Sequence, residues 1–167
     1  MSALAGITVV SLEQAIAAPL CTRHLADHGA RVIKVERPRV GDFARAYDGR
    51  VRGLSSHFVW TNRSKESLTL DVKHPEARAI RARLIHEEAV VDVQNLAPGA
   101  AARLGFGHAD LLRAKPSLVV CDISGYGNDG PYRDRKAYDL LIQSEAGFLD
   151  VTGTPDERCK AGNSIAD

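Results

Sequence analysis

Residues 7–36 read ITVVSLEQAIAAPLCTRHLADHGARVIKVE, and the order of elements in this stretch decides the fold. ITVVSL (7–12) is a short apolar run rich in β-branched residues and reads as a buried strand. A helix follows: Pro19 suits a helix start, and Leu20, Leu25 and Ala26 recur at helical spacing. Gly29 falls just past the end of that helix, and RVIKVE (31–36) is a second strand. A strand–helix–strand unit of this size is a crossover, so its strands run parallel with a right-handed connection.

The same alternation continues downstream. SLTLDV (67–72) reads as a strand. HPEARAIRARLIHEE (74–88) is a helix with Pro75 at its start, Glu76 in its first turn, and Ala79, Ile80 and Leu84 as its apolar stripe. VVDVQNL (90–96) reads as a strand and SLVVCDISG (117–125) as another buried strand, with two short helices between them in AARLGFG and HADLLRAKP. AYDLLIQSEAGFLDVTG (137–153) begins as a helix. Residues 37–57 carry Arg37, Arg39, Arg45, Arg50 and Arg52 among Gly41, Gly49 and Gly53, and read as a long basic loop, a feature that in compact domains is usually functional or disordered. The expected class is α/β, a Rossmann-like, mostly parallel sheet with flanking helices.

Composition narrows the function. The 167 residues carry a net charge of +1, which gives no global electrostatic case for nucleic acid or a membrane surface. No apolar run approaches the roughly 18–20 residues of a membrane span, and no signal peptide is visible at Met1–Ile7. The expected location is the cytoplasm. Cys21, Cys121 and Cys159 have no metal-ligand spacing and read as reduced thiols, and the six histidines are scattered, so no metal site is expected. The first strand–helix turn, EQAIAAP, has no glycine, which argues against a dinucleotide pyrophosphate there. Instead, Arg37, Lys73, Asn95, Arg103 and Lys136 follow strand ends, where ligands of open α/β sheets lie. Converging on one edge, they would suit a ligand with several phosphates; apart, they are solvated surface charges.

Five ordered segments carry a family resemblance: AAPLCTRHLADHGARVIKVERP, NRSKESLTLDVKHPEA, VQNLAPGAAARLGFG, ISGYGNDGPYRDRKAYDLLIQSEAG and the closing AGNSIAD. Together they resemble the N-terminal part of the class III coenzyme A transferases, the family of formyl-CoA transferase, the carnitine CoA-transferases and the 2-methylacyl-CoA racemases. The resemblance implies that residues 1–167 are the CoA-binding portion of the large domain of an interlocked homodimer. A smaller second domain and a returning C-terminal segment would lie outside these residues. It implies coenzyme A or acyl-CoA as substrate rather than as a resident cofactor, with a small carboxylic acid as the other partner.

It also implies roles. Asp167 would be the nucleophile, forming aspartyl intermediates with the acyl group and then with CoA. Ala15, Ala17, Arg37, Leu70, Lys73, Asn95, Leu96, Arg103 and Lys136 would hold CoA, and Gln14, Tyr138 and Asp139 would face the substrate. The racemases have a histidine at the place of Tyr138; a phenol, with a pKa near 10, is a poor proton shuttle at neutral pH, so the transferase branch is favoured. Asp139 either faces the acyl group or simply begins its helix. Ile16 and Ala18 stand where formyl-CoA transferase has glutamine and glycine, which points away from a formyl or oxalyl substrate. Two alternatives stand beside the transferase: the racemase reaction, and a non-catalytic fragment that only holds CoA.

Overall fold

The computed structural model describes residues 2–165. They fall into two compact units, one ending at Ile123 and one beginning at Ser124.

The first unit is built on five strands: β1 (Thr8–Leu12), β2 (Arg31–Glu36), β3 (Lys65–Thr69), β4 (Val91–Gln94) and β5 (Val119–Asp122). Every pairing is parallel, in the order β3-β2-β1-β4-β5. The connections carry α1 (Ala17–Asp27), α2 (Ser56–Asn62), α3 (Pro75–Glu87), α4 (Ala100–Arg103) and α5 (His108–Ala114).

β1 is the centre of the sheet, and its sequence explains why. Val9 and Val10 point to opposite faces and both are fully buried. Val9, with Val32 and Val93, packs on the α1 side against Ala18 and Ala26. Val10 and Leu12, with Val35, pack on the other side against Ile85, Phe106, Leu111 and Leu118. A parallel strand needs both faces covered, and the β-branched run supplies apolar side chains to both.

Three expectations change. The third strand starts at Lys65 rather than at residue 67, because Lys65 and Glu66 pair with Val32 and Ile33 of β2, and the chain leaves the sheet after Thr69. The last strand is not a buried one: β5 is an edge, with Val119 56% exposed. The basic segment 37–57 is a loop but a packed one. Asp42, Ala44 and Ser55 within it are buried, and it contains a 3-10 turn over Phe43–Ala46. Helix α2, absent from the sequence reading, begins as the loop ends, with Ser55 Oγ accepting from the Phe58 N–H at 3.3 Å.

Among its described residues the second unit holds one helix, α6 (Asp139–Glu145), and a 3-10 turn over Phe148–Asp150. Among the described residues no helix is long and apolar enough to cross a membrane.

Candidate functional site

The carboxyl ends of β1, β2, β3 and β4 surround a cleft of about 600 Å³. Its apolar floor is the upper end of the core: Leu12, Val35, Leu70, Val72, Leu96 and Leu104. Its polar rim includes Gln14, Arg37, Arg39, Asp71 and Lys73. Strand ends make such clefts because the loops on either side diverge to opposite faces of the sheet.

The wall between β1 and β2 rests on buried charge. On the α1 face, Lys34 sits mid-strand, where alternation would place another apolar residue. Its Nζ donates to Asp42 Oδ2 at 2.6 Å and to Asn62 Oδ1 at 2.7 Å. Beside it, Lys65 Nζ donates to Glu13 Oε1 at 2.7 Å and to the Pro19 carbonyl at 2.8 Å. Burial draws the Lys65 ammonium down to about 8, although Glu13 opposes the change. Glu13 is held from its other side by the Thr22 hydroxyl, 2.6 Å away.

Glu36, at the end of β2, completes the set. It accepts two hydrogen bonds from Arg45, at 2.7 and 2.9 Å, and others from Ser67 Oγ and the Asp42 N–H. Burial alone would raise its carboxyl, but these donors outweigh it and hold the group at about 2. Each acid of this wall therefore has its own cation: Glu13 with Lys65, Glu36 with Arg45, Asp42 with Lys34.

Asp42 also shapes the first turn. Its Oδ1 accepts the Ala15 N–H at 3.0 Å and the Ala44 N–H at 2.9 Å. Ala15 has φ 63°, left-handed backbone that a residue with a Cβ enters only at a cost. Gly41, at φ 61°, precedes Asp42 for a steric reason: a Cβ there would lie 2.7 Å from Glu36 Oε2 and 2.8 Å from Arg45 Nε.

Of the residues singled out from sequence, Gln14, Arg37, Leu70, Lys73 and Leu96 line the cleft. Asn95 lies behind it, exchanging hydrogen bonds with the Gln14 backbone at 2.8 and 2.9 Å and so tying the end of β4 to the end of β1. Ala15 is pinned by Asp42, and Ala17 is the first residue of α1. Arg103 is not part of the lining. It ends the one-turn helix α4, exposed, with its Nη1 folded back over Gly99, and the cleft takes Leu104 instead.

Lys136, Tyr138 and Asp139 belong to the second unit. Tyr138 is the exposed residue before α6. Asp139 begins that helix and accepts from Gln143 Nε2 at 2.8 Å. Gln143, fully buried, accepts in turn from the Ala161 N–H at 3.1 Å, in the segment that leads toward Asp167. Asp167 lies outside the described residues.

The sequence reading missed Glu13, Lys34, Glu36, Asp42, Asn62 and Lys65. Two of them carried a signal, since Lys34 and Glu36 interrupt the apolar run of a strand that must be buried on both faces.

Chemically, an apolar floor beneath rim cations that have no carboxylate partner among the described residues fits an amphipathic ligand with a polyphosphate end.

Comparison with known proteins points the same way. The family model described as CoA-transferase family III matches residues 4–167. The succinate–glutarate CoA-transferase of Agrobacterium fabrum is 39% identical over 174 residues, which cover 98% of this chain and 43% of that protein. The formyl-CoA:oxalate CoA-transferase of Bradyrhizobium diazoefficiens is 37% identical, covering 92% of this chain and 36% of its own length. Among solved structures, a CaiB/BaiF family protein from Brucella suis superimposes with a TM-score of 0.92 at 35% identity, over 98% of this chain and 44% of that one. The chain thus spans less than half the length of these relatives.

Proposed function

Because the chain belongs to CoA-transferase family III, we propose that it supplies the coenzyme A-holding part of an enzyme that moves CoA from an acyl-CoA to a small carboxylic acid. The observation that carries this reading is the cleft: four strand ends, an apolar floor, and a rim whose cations Arg37, Arg39 and Lys73 have no carboxylate partner among the described residues. The relatives' names, with succinate, glutarate, oxalate and formyl-CoA, support short carboxylic acids as the groups exchanged.

In this reading Arg37 and Lys73 take the phosphates of CoA, and Leu70 and Leu96 cover its less polar parts. Gln14, Ala15 and Ala17 border it at the first turn, with Asn95 fixing Gln14. Arg103, outside the lining, and Lys136 supply further cations to CoA, and Tyr138 and Asp139 face the acyl group. Residues 1–167 form the N-terminal part of a larger subunit that works as a homodimer.

The chemistry falls to Asp167. Its carboxylate attacks the thioester carbonyl, forming a mixed anhydride and expelling CoA thiolate. The thiolate attacks the aspartyl carbonyl, giving an aspartyl-CoA thioester and releasing the first carboxylate. The acceptor carboxylate then attacks that thioester, forming a second anhydride and freeing the thiolate again. Attack of the thiolate on the acceptor's carbonyl yields the new acyl-CoA and restores the aspartate. One carbonyl stays activated at every stage, as a thioester or an anhydride, so no nucleoside triphosphate is consumed.

The test is intact mass spectrometry after incubation with short acyl-CoAs and hydroxylamine, which captures an activated aspartyl group as a hydroxamate. A mass gain that maps to Asp167 and disappears in Asp167→Asn is the expected result. CoA binding without any adduct would remove the nucleophile assignment, and absence of CoA binding would remove the function itself.

A further inference from the structure

Arg39 sits at the centre of a three-residue turn, with the Val40 N–H donating to the Pro38 carbonyl at 2.8 Å and its own φ at 67°. A γ-turn with positive φ at its centre is the rare, strained form, and a long side chain is a poor occupant of it. The Arg39 side chain does not offset that strain, since it has no hydrogen bond, ion pair or ring contact among the described residues. It is exposed, and it lines the cleft. A second closure, from the Gly41 N–H to the Arg37 carbonyl at 3.0 Å, fixes the whole of 37–41 and holds Arg37 and Arg39 at one wall.

The charge around the cleft is unbalanced as well. Glu13, Glu36 and Asp42 all line it, but each is matched by a buried or half-buried cation of the wall. Asp71 is partly satisfied, its Oδ1 accepting the Lys73 N–H at 3.1 Å. Arg37, Arg39 and Lys73 therefore leave the cleft with an excess of positive charge. An arginine, with its planar fork of donors, is suited to a phosphate ester. Strain kept at a ligand-facing position without a local return is the signature of a functional residue.

We propose that Arg39 is a specificity-determining residue that binds a phosphate group of the cleft's ligand and adds a third cation to Arg37 and Lys73. This rests on the coenzyme A reading above, and it goes beyond it by assigning a residue that family resemblance does not. Two phosphate sources on CoA share this chemistry, the 3′-phosphate ester and the diphosphate.

The experiment is calorimetric titration of the purified protein with CoA and with dephospho-CoA, together with thermal melting, for the unaltered protein, Arg39→Gly and Arg39→Lys. Arg39→Gly is expected to weaken CoA binding about three- to tenfold and to melt no lower than the parent, because glycine accepts the turn without strain. Arg39→Lys should recover part of the affinity, and the loss should shrink as salt rises from about 0.05 to 0.5 M. Loss of the preference for CoA over dephospho-CoA assigns the 3′-phosphate, and equal loss for both assigns the diphosphate. Undiminished CoA affinity in Arg39→Gly overturns the proposal and leaves the coenzyme A reading standing. A melting temperature well below the parent's also overturns it, since Arg39 would then be structural. No CoA binding by the unaltered protein overturns both.

Discussion

Lys34 Nζ lies 2.6 Å from Asp42 Oδ2, with the two side chains 2% and 0% exposed. One residue comes from the middle of a central strand, the other from a loop that composition alone would make a solvated surface. Their pairing turns that loop into the wall of the cleft. Asp42 then carries the constraint onward, because its second oxygen holds the Ala15 N–H.

Breaking this pair from one side leaves a buried charge without its partner, which is far costlier than an exposed pair would be. Asp42→Asn keeps the shape and removes the charge, and Lys34→Met does the converse. Each is expected to lower stability by about 3 kcal/mol in urea unfolding. The double variant should lose clearly less than the sum of the two. Strict additivity would show that the two charges do not interact.

Ala15 offers a test by a backbone route. Glycine at 15 releases the left-handed strain but adds chain entropy, for a net gain of about 0.5 kcal/mol, or roughly 1–2 °C in melting temperature. Valine, with a branched Cβ at the same φ, should cost about 2 kcal/mol. A valine variant as stable as the parent would contradict the geometry of the turn.

Glu36 makes stability depend on acid. Its carboxyl is lowered from 4.5 to about 2 in the folded state. A depressed carboxylate stabilises the fold above its unfolded pKa, and that contribution is lost as pH falls from about 4.5 toward 2. The shift corresponds to about 3 kcal/mol. Denaturant unfolding between these pH values should show the decline, and Glu36→Gln should flatten it. A decline unchanged in Glu36→Gln would place its origin in other carboxylates.

Away from the cleft, Arg81 of α3 donates to Asp92 of β4 at 2.5 Å, both almost fully buried, with the guanidinium 4.1 Å from the Phe106 ring centroid. Burial pushes the Asp92 carboxyl up to about 6 against the pull of Arg81. Arg81→Met should cost about 3–5 kcal/mol by stranding the carboxylate. Arg81→Met with Asp92→Leu should recover most of it, since an apolar pair suits this core. A double variant as unstable as the single one would mean that the pair does more than fill space.

What the sequence determined by itself was the order of elements and the class of fold. The run at 7–12 is short, apolar and β-branched, 31–36 carries the β-branched Val32, Ile33 and Val35, and the segment between them has a helical stripe with proline and glycine at its ends. Those are local signals, set by side-chain periodicity and by backbone preferences within a few residues. Lengths were less legible: β3 begins two residues early because its partner strand dictates the register, and α2 is too short and too mixed in composition to announce itself.

The wall of the cleft was decided only by tertiary structure. Lys34, Asp42, Glu13 and Lys65 come from separate segments, and apart from Lys34, which interrupts a buried strand, each taken alone is an ordinary surface charge. Burial made them pair, because a charge removed from water persists only beside an opposite one. Likewise, Arg37 and Lys73 were legible as strand-end cations, but their sharing of one cleft depends on β2 and β3 lying side by side. Arg103, equally plausible on paper, turns back over Gly99, because a one-turn helix gives its last side chain a different direction from the strand ends beside it.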